Sequence, residues 1–289
     1  MYQAIAPDSI GHPIAFPDSA SLIADNGFKG VWFKFPRDTQ LDAMQTREIL
    51  DRYHLAAAGF GLPLDYLKDQ ATFGEGMKDF EQSVRYAQSI GLTRCMTWIK
   101  PASDTLTYRD NFAFHRSRLT EPARILAAYG ISLGVEFLGP PKLRKQARYP
   151  FIHNLDQAMS LCYAIGTGNV GLILDIWHWD LAGQKRIDFD QIPDPSWVVA
   201  AHIMDAPAGV PADEQEDLDR RLPGATGVLD ARHFFEGLQA LAYPGPVIPE
   251  PFVPSLATLS FDQALKTVKK ALDQVWPAIP ADQSREDAS

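Results

Sequence analysis

Eight short apolar runs recur along the chain, separated by amphipathic or polar stretches. They are Gln3–Ala6, Gly30–Phe35, Leu55–Gly61, Arg94–Ile99, Ser132–Phe137, Val170–Asp175, Val198–Asp205 and Pro246–Phe252. Val31-Trp32-Phe33 and Leu172-Ile173-Leu174 are apolar on successive residues, as expected of parallel strands buried on both faces. Helix-like segments follow at Ser19–Asn26, Leu41–Tyr53, Met77–Ile90, Asn111–Tyr129, Leu155–Ile165, Ala231–Leu241 and Phe261–Val275. Several stop at a glycine, as in Ile90-Gly91 and Ile165-Gly166, where the left-handed conformation that ends a helix costs little. The unit after the sixth strand is weak: Pro193 and Pro195 interrupt Asp188–Ser196, so a short or broken helix is expected there. Strict alternation predicts an α/β fold with a parallel sheet. Eight repeats predict that the sheet closes into a single (β/α)8 TIM barrel rather than an open doubly wound sheet.

No shift in composition marks a domain boundary, so 1–279 reads as one barrel and 280–289 as a polar, flexible tail. Segment Pro207–Pro223, acidic over Asp213–Asp217, reads as a long loop after strand seven, either solvated or a lid over the barrel mouth. A net charge of −9 disfavours nonspecific binding to nucleic acid or to an anionic membrane. Cys95 and Cys162 lie in apolar surroundings and read as reduced core residues, which points to a cytoplasmic protein. No signal peptide is expected from the first residues, and the longest uncharged apolar stretch, Leu55–Leu64, is too short to span a bilayer. The absence of a G-x-G-x-x-G turn between strand and helix argues against a nucleotide cofactor.

The candidate chemistry sits at strand ends. Glu136, Asp175, His202 and Glu250 fall at or near the C-terminal ends of four successive predicted strands, which in an α/β barrel converge on one mouth. A charged group inside an apolar strand is costly unless it is paired or binds a metal. Three carboxylates and one imidazole suit a hard or borderline divalent cation, Mn²⁺ first, with Mg²⁺, Co²⁺ or Zn²⁺ as alternatives.

Gly134-Val135-Glu136-Phe137, Leu174-Asp175-Ile176-Trp177-His178, Ala201-His202-Ile203-Met204-Asp205, Pro223-Gly224 and Pro249-Glu250-Pro251 occur in that order and spacing. Through them the chain resembles the xylose isomerase-like TIM-barrel superfamily, in the group of sugar isomerases and epimerases that includes ketose 3-epimerases and inosose dehydratases. The resemblance covers roughly Ile5 to Val275. It implies that Glu136, Asp175, His202 and Glu250 are the metal ligands and that His178 faces the substrate. It also implies that Glu136 and Glu250 exchange protons with the two faces of a metal-stabilised enediolate, formed by removing a proton next to a carbonyl. AP endonucleases of the superfamily carry further metal-binding histidines on earlier strands. Leu55–Gly61 and Arg94–Ile99 contain no histidine, so DNA repair is disfavoured.

Further candidates for substrate contact are Trp98 and Lys100 at the end of strand four, which read equally as a core and a surface residue, Asp205 after strand seven, which would orient a site group or cap its loop, and Arg221 before Pro223-Gly224. The basic cluster Lys142, Arg144, Lys145 and Arg148 reads as a solvated loop before an anion site. The leading expectation is a metal-dependent isomerase or epimerase of a small sugar or keto-sugar, with homo-oligomerisation left open. The alternative is a lyase or dehydratase that acts by β-elimination on an inosose or 3-keto-glycoside, since both begin with the same proton abstraction. A barrel that binds carbohydrate without turnover is disfavoured by the two candidate acid–base glutamates.

Overall fold

The structure is a computed structural model that describes residues 1–277. Eight parallel strands form a closed barrel: β1 (Tyr2–Ile5), β2 (Gly30–Phe33), β3 (Ala56–Gly61), β4 (Arg94–Ile99), β5 (Ser132–Phe137), β6 (Val170–Asp175), β7 (Val198–Ile203) and β8 (Pro246–Pro249). Each strand pairs with its sequence neighbour, and β1 pairs with β8 through Tyr2↔Pro246 and Gln3↔Val247 to close the ring. The helices α1 (Phe16–Asp25), α2 (Ala43–Arg52), α3 (Gln70–Ser89), α4 (Tyr108–Ala128), α5 (Leu155–Ile165), α6 (Ile176–Leu181), α7 (Ala231–Ala240) and α8 (Phe261–Val275) each follow the strand of the same number. The eight-unit barrel read from the apolar pattern is the observed fold.

Two apolar layers hold it. Ala4, Trp32, Ala58, Ile173, Val199, Ala200 and Ile248 form a separate small cluster that fills the barrel interior. The larger core lies between the strands and the helix ring and includes Phe60, Phe137, Leu172, Leu174, Phe235 and Leu265. Trp32 fits inside because β3 carries no side chain opposite it; a Cβ at Gly59 would lie 2.2 Å from the Trp32 ring. In α8 the buried residues Phe261, Leu265, Val268 and Leu272 recur at helical spacing, behind a capping box of Ser260 and Gln263.

Three details depart from the sequence pattern. Helix α3 starts at Gln70 rather than Met77, because the Asp69 carboxylate accepts from the N–H groups of Ala71 and Thr72. Gly74 and Gly76 obscure this first stretch, since each glycine costs about 1 kcal/mol of helix propensity. The unit after β6 is short and broken as expected, with α6 followed by single turns at Arg186–Gln191 and Pro195–Trp197. Strands β7 and β8 end at Ile203 and Pro249, so Asp205 and Glu250 belong to the loops that follow. The expected tail at 280–289 lies outside the described residues. Cys95 and Cys162 are buried, free thiols. Among the described residues, no helix is long and apolar enough to cross a membrane.

Candidate active site

The four strand-end residues meet at the C-terminal mouth. Register sets this directly: Asp175 is paired with His202 across β6 and β7, and Ile248, two residues before Glu250, is also paired with His202. One potential ligand atom from each of Glu136, Asp175, His202 and Glu250 lies within 4.8 Å of the others. His202 Nδ1 is 3.1 Å from Glu136 Oε1, 3.2 Å from Glu250 Oε2 and 3.8 Å from Asp175 Oδ2. Glu136, Asp175 and His202 are buried, and Glu250 is the member partly open to solvent.

Despite these short distances, neither ring nitrogen of His202 makes an aligned hydrogen bond, and Glu136 Oε1 makes none either. A buried polar atom left without a partner costs about 1–3 kcal/mol, so the cluster is incomplete as it stands. Three carboxylates with an unpartnered imidazole nitrogen in their midst are the donor set that a divalent cation would satisfy. The residues fit the metal. Burial raises the Glu136 carboxyl above the usual carboxylate range, against the pull of His202. Burial acts on Asp175 and Glu250 in the same direction, but Arg220 and His202 respectively overcome it and hold both carboxyls low.

Asp175 links the centre to the first turn of α6. Its Oδ1 accepts from the N–H groups of Trp177 (2.8 Å) and His178 (3.0 Å), and its Oδ2 accepts from Arg220 Nη1 at 3.0 Å. Arg220 is buried, stacked against Trp177 (4.7 Å) and Phe252 (5.0 Å), and also donates to Asp217 at 2.6 Å. Its Nη2 lies 3.3 Å from His178 Nε2. A guanidinium has no acceptor, so His178 Nε2 must accept and the ring hydrogen sits on Nδ1. That Nδ1 is buried and has no partner among the described residues, which makes it a spare donor beside the carboxylates.

The sequence pattern points to Arg221, whereas the structure turns its neighbour Arg220 toward the centre. Arg221 forms an isolated bridge with Asp205 through its backbone, and its guanidinium bonds Asp219 at 2.5 Å. Adjacent residues of an extended segment point to opposite sides, so pairing at Arg221 turns Arg220 inward. Only the Asp217-x-x-Arg220 spacing hints at the difference. Gln215 is a second residue that the pattern does not single out: it is buried, and its Oε1 accepts from Trp177 Nε1 at 2.8 Å.

Asp205 caps its loop, one of the two roles expected of it. Its Oδ1 accepts from the N–H groups of Ala206 and Leu229, and its Oδ2 from those of Thr226 and Gly227, at 2.7–3.0 Å. Burial alone would raise its carboxyl, but these bonds keep it below the usual range. Asp205→Asn replaces two acceptor sites with donors that face other donors, and it should cost about 2–4 kcal/mol in chemical unfolding. A lowered carboxyl contributes its full stability above the unfolded Asp value of about 3.9 and loses it as pH falls through the folded value. The gap between wild type and the variant should therefore narrow below about pH 4. A gap that is constant with pH would show that the charge on Asp205 is not what holds the loop.

Trp98 is 47% exposed and is paired in register with Glu136, with its carbonyl accepting from Tyr66 Oη at 2.9 Å. Lys100 is exposed at the end of the same strand. The basic cluster faces the acidic loop, with Lys142 paired to Glu216 and Lys145 to Asp213, while Arg148 stacks on Tyr149. Gly139 sits where β5 runs out against α6, and a Cβ there would be 2.0 Å from the His178 carbonyl oxygen. Only glycine permits that approach.

Residues 20–275 match the family model described as xylose isomerase-like TIM barrel. An inosose isomerase of Halalkalibacterium halodurans is 31% identical over 211 residues, which is 72% of this chain and 70% of that protein. Among solved structures, a xylose isomerase domain protein from Alicyclobacillus acidocaldarius superposes with a TM-score of 0.83 at 25% identity, covering 95% of this chain and 98% of that one. The IolI protein, solved with a bound zinc atom, superposes with a TM-score of 0.80 at 19% identity over 95% and 98% of the two chains.

Proposed function

This chain belongs to the xylose isomerase-like TIM-barrel family, and from that premise we propose that it is a divalent-metal-dependent isomerase or epimerase of keto-sugars or inosose-like cyclic ketones. One observation carries the reading: Glu136, Asp175, His202 and Glu250 converge within 4.8 Å at the barrel mouth, with His202 Nδ1 left unpartnered among the oxygens. Those four residues would hold the metal, with Mn²⁺ the favoured ion. When bound, the cation supplies Lewis acidity to a carbonyl and a neighbouring hydroxyl.

The remaining roles belong to the protein. Glu136 and Glu250 come from opposite flanks of His202, on β5 and after β8, so each faces a bound sugar from its own side. One removes the proton next to the carbonyl and the other returns a proton, on the same or the neighbouring carbon. Each carboxylate sits at the mouth where it can take a proton from, or give one to, a carbon beside the carbonyl. His178 donates from Nδ1 to a substrate oxygen, and Arg220 fixes that tautomer. Trp98, exposed at the mouth, offers its face to the apolar side of a ring.

The reading is checked with a panel of keto-sugars, inososes included, incubated in D₂O with protein loaded with Mn²⁺, Mg²⁺, Co²⁺ or Zn²⁺. Isomerisation or epimerisation introduces deuterium next to the carbonyl and yields an isomer, seen by NMR. An unsaturated product would reassign the same site to β-elimination. No solvent exchange from any sugar with any of the four metals would sink the catalytic reading.

A further inference from the structure

The loop between β7 and α7 does not wander over the surface. It leaves β7 at Met204, crosses above α6, reaches the loop after β5, and returns to the centre at Arg220. Two kinds of contact fasten it. At its root, the buried Asp205 carboxylate gathers four N–H groups, and the Asp205–Arg221 bridge closes the base. At its tip, Glu216 pairs with Lys142 and Asp213 lies 3.7 Å from Lys145, with all four side chains 39–71% exposed. Within the tip the buried Gln215 also accepts one hydrogen bond from Trp177, and Asp217 and Asp175 hold Arg220. The acidic run and the basic run are thus a matched pair, neither of them a plain solvated surface.

We propose that residues 207–219 form a hinged strap that unclasps from the β5 loop to open the side of the mouth and reclasps to seat Arg220 on Asp175 and His178. The difference between the two ends sets the direction of motion. The tip is held by two exposed ion pairs, individually weak and screened by salt, and by the one neutral Gln215–Trp177 bond. The root is a buried carboxylate with four donors, which is neither weak nor screened. The tip therefore releases first and the root acts as the hinge. Gly209, at φ +75°, sits just past the root, where a left-handed turn lets the chain swing out from Ala206. Lifting the tip withdraws Gln215 from Trp177 and exposes the indole and guanidinium that wall the centre on this side. Lys142 and Lys145 thus act on the site through Arg220. The motion rests on the mouth being the ligand site, but it can be followed without metal or sugar, so its failure and that of the catalytic reading are separable.

Hydrogen exchange on the full chain tests it. Raising salt from about 0.05 to about 1 M shortens the Debye length to about 3 Å, and it should speed exchange of the tip amides, 211–219, by about 3–10-fold. The root amides, Thr226 to Leu229, should change by less than about twofold. Lys142→Glu should accelerate the tip at low salt and remove or reverse its salt dependence, because the new carboxylate repels Glu216 until salt screens it. Adding Glu216→Lys to that variant should restore protection, and Lys142→Arg should keep it throughout. A tip indifferent to salt and to the charge swap, or a tip and root that open together, would overturn the strap.

Discussion

Glu136→Gln and Glu250→Gln should each lower kcat by about 10²–10⁴-fold at saturating Mn²⁺, the range that a positioned acid–base group supplies. The barrel should stay folded in both, because an amide fills the same volume and can still offer an oxygen to the metal. The two variants should differ in metal-free stability. Burial outweighs the support that His202 gives the Glu136 charge, so removing that charge should cost less than removing the one on Glu250. Glu250 keeps its charge against burial through His202 and Arg220, so its amide sacrifices two favourable interactions and should melt lower. If the enzyme is an epimerase with one base on each face, one variant should still exchange solvent deuterium into one epimer while failing to form the other. Near-wild-type kcat in either variant would leave that glutamate as a ligand only. His178, with its free Nδ1, would then be the next proton-transfer candidate.

The quartet Glu136, Asp175, His202 and Glu250 is legible in the amino-acid sequence because each member breaks an apolar run at or near its C-terminal end. Barrel closure then leaves no freedom about where such residues meet: β5 to β8 are neighbours, and their ends share one rim. The aromatic interior is less legible, since Trp32 in the barrel and Trp177 beside the site look alike as sequence. The least legible residues lie where no strand or helix imposes a period. Whether Arg220 or Arg221 turns inward depends on one backbone pairing with Asp205, in a loop that belongs to no strand of the barrel wall. The acidic and basic runs are each visible as charge. That they are partners follows only from the way β5 and β7 flank β6, which puts their loops within reach of each other over α6. Charge patterning becomes informative once topology supplies the distance.

Arg220→Met is expected to destabilise the metal-free protein by about 3–5 kcal/mol, since it leaves the Asp175 carboxylate buried without its cation. For a chain of this size that is a fall in Tm of about 5–8 °C. Methionine keeps apolar volume between Trp177 and Phe252, so the loss reports charge more than packing. Saturating Mn²⁺ should recover at least half of the deficit, because the metal gives Asp175 a second counter-charge. The variant should bind Mn²⁺ at least as tightly as wild type, since a fixed positive charge has been removed from Oδ2, the Asp175 oxygen that faces His202. Turnover should nonetheless fall, because His178 Nε2 loses its donor and the ring is no longer held as the Nδ1–H tautomer. Arg220→Lys should lie between the two, as it keeps the charge but cannot reach Asp175 and His178 with separate nitrogens. Differential scanning calorimetry with and without Mn²⁺ separates the possibilities. An equal loss in both states would make Arg220 a packing residue, whereas a deficit that shrinks with metal makes it the counter-ion that keeps three carboxylates together before the cation arrives.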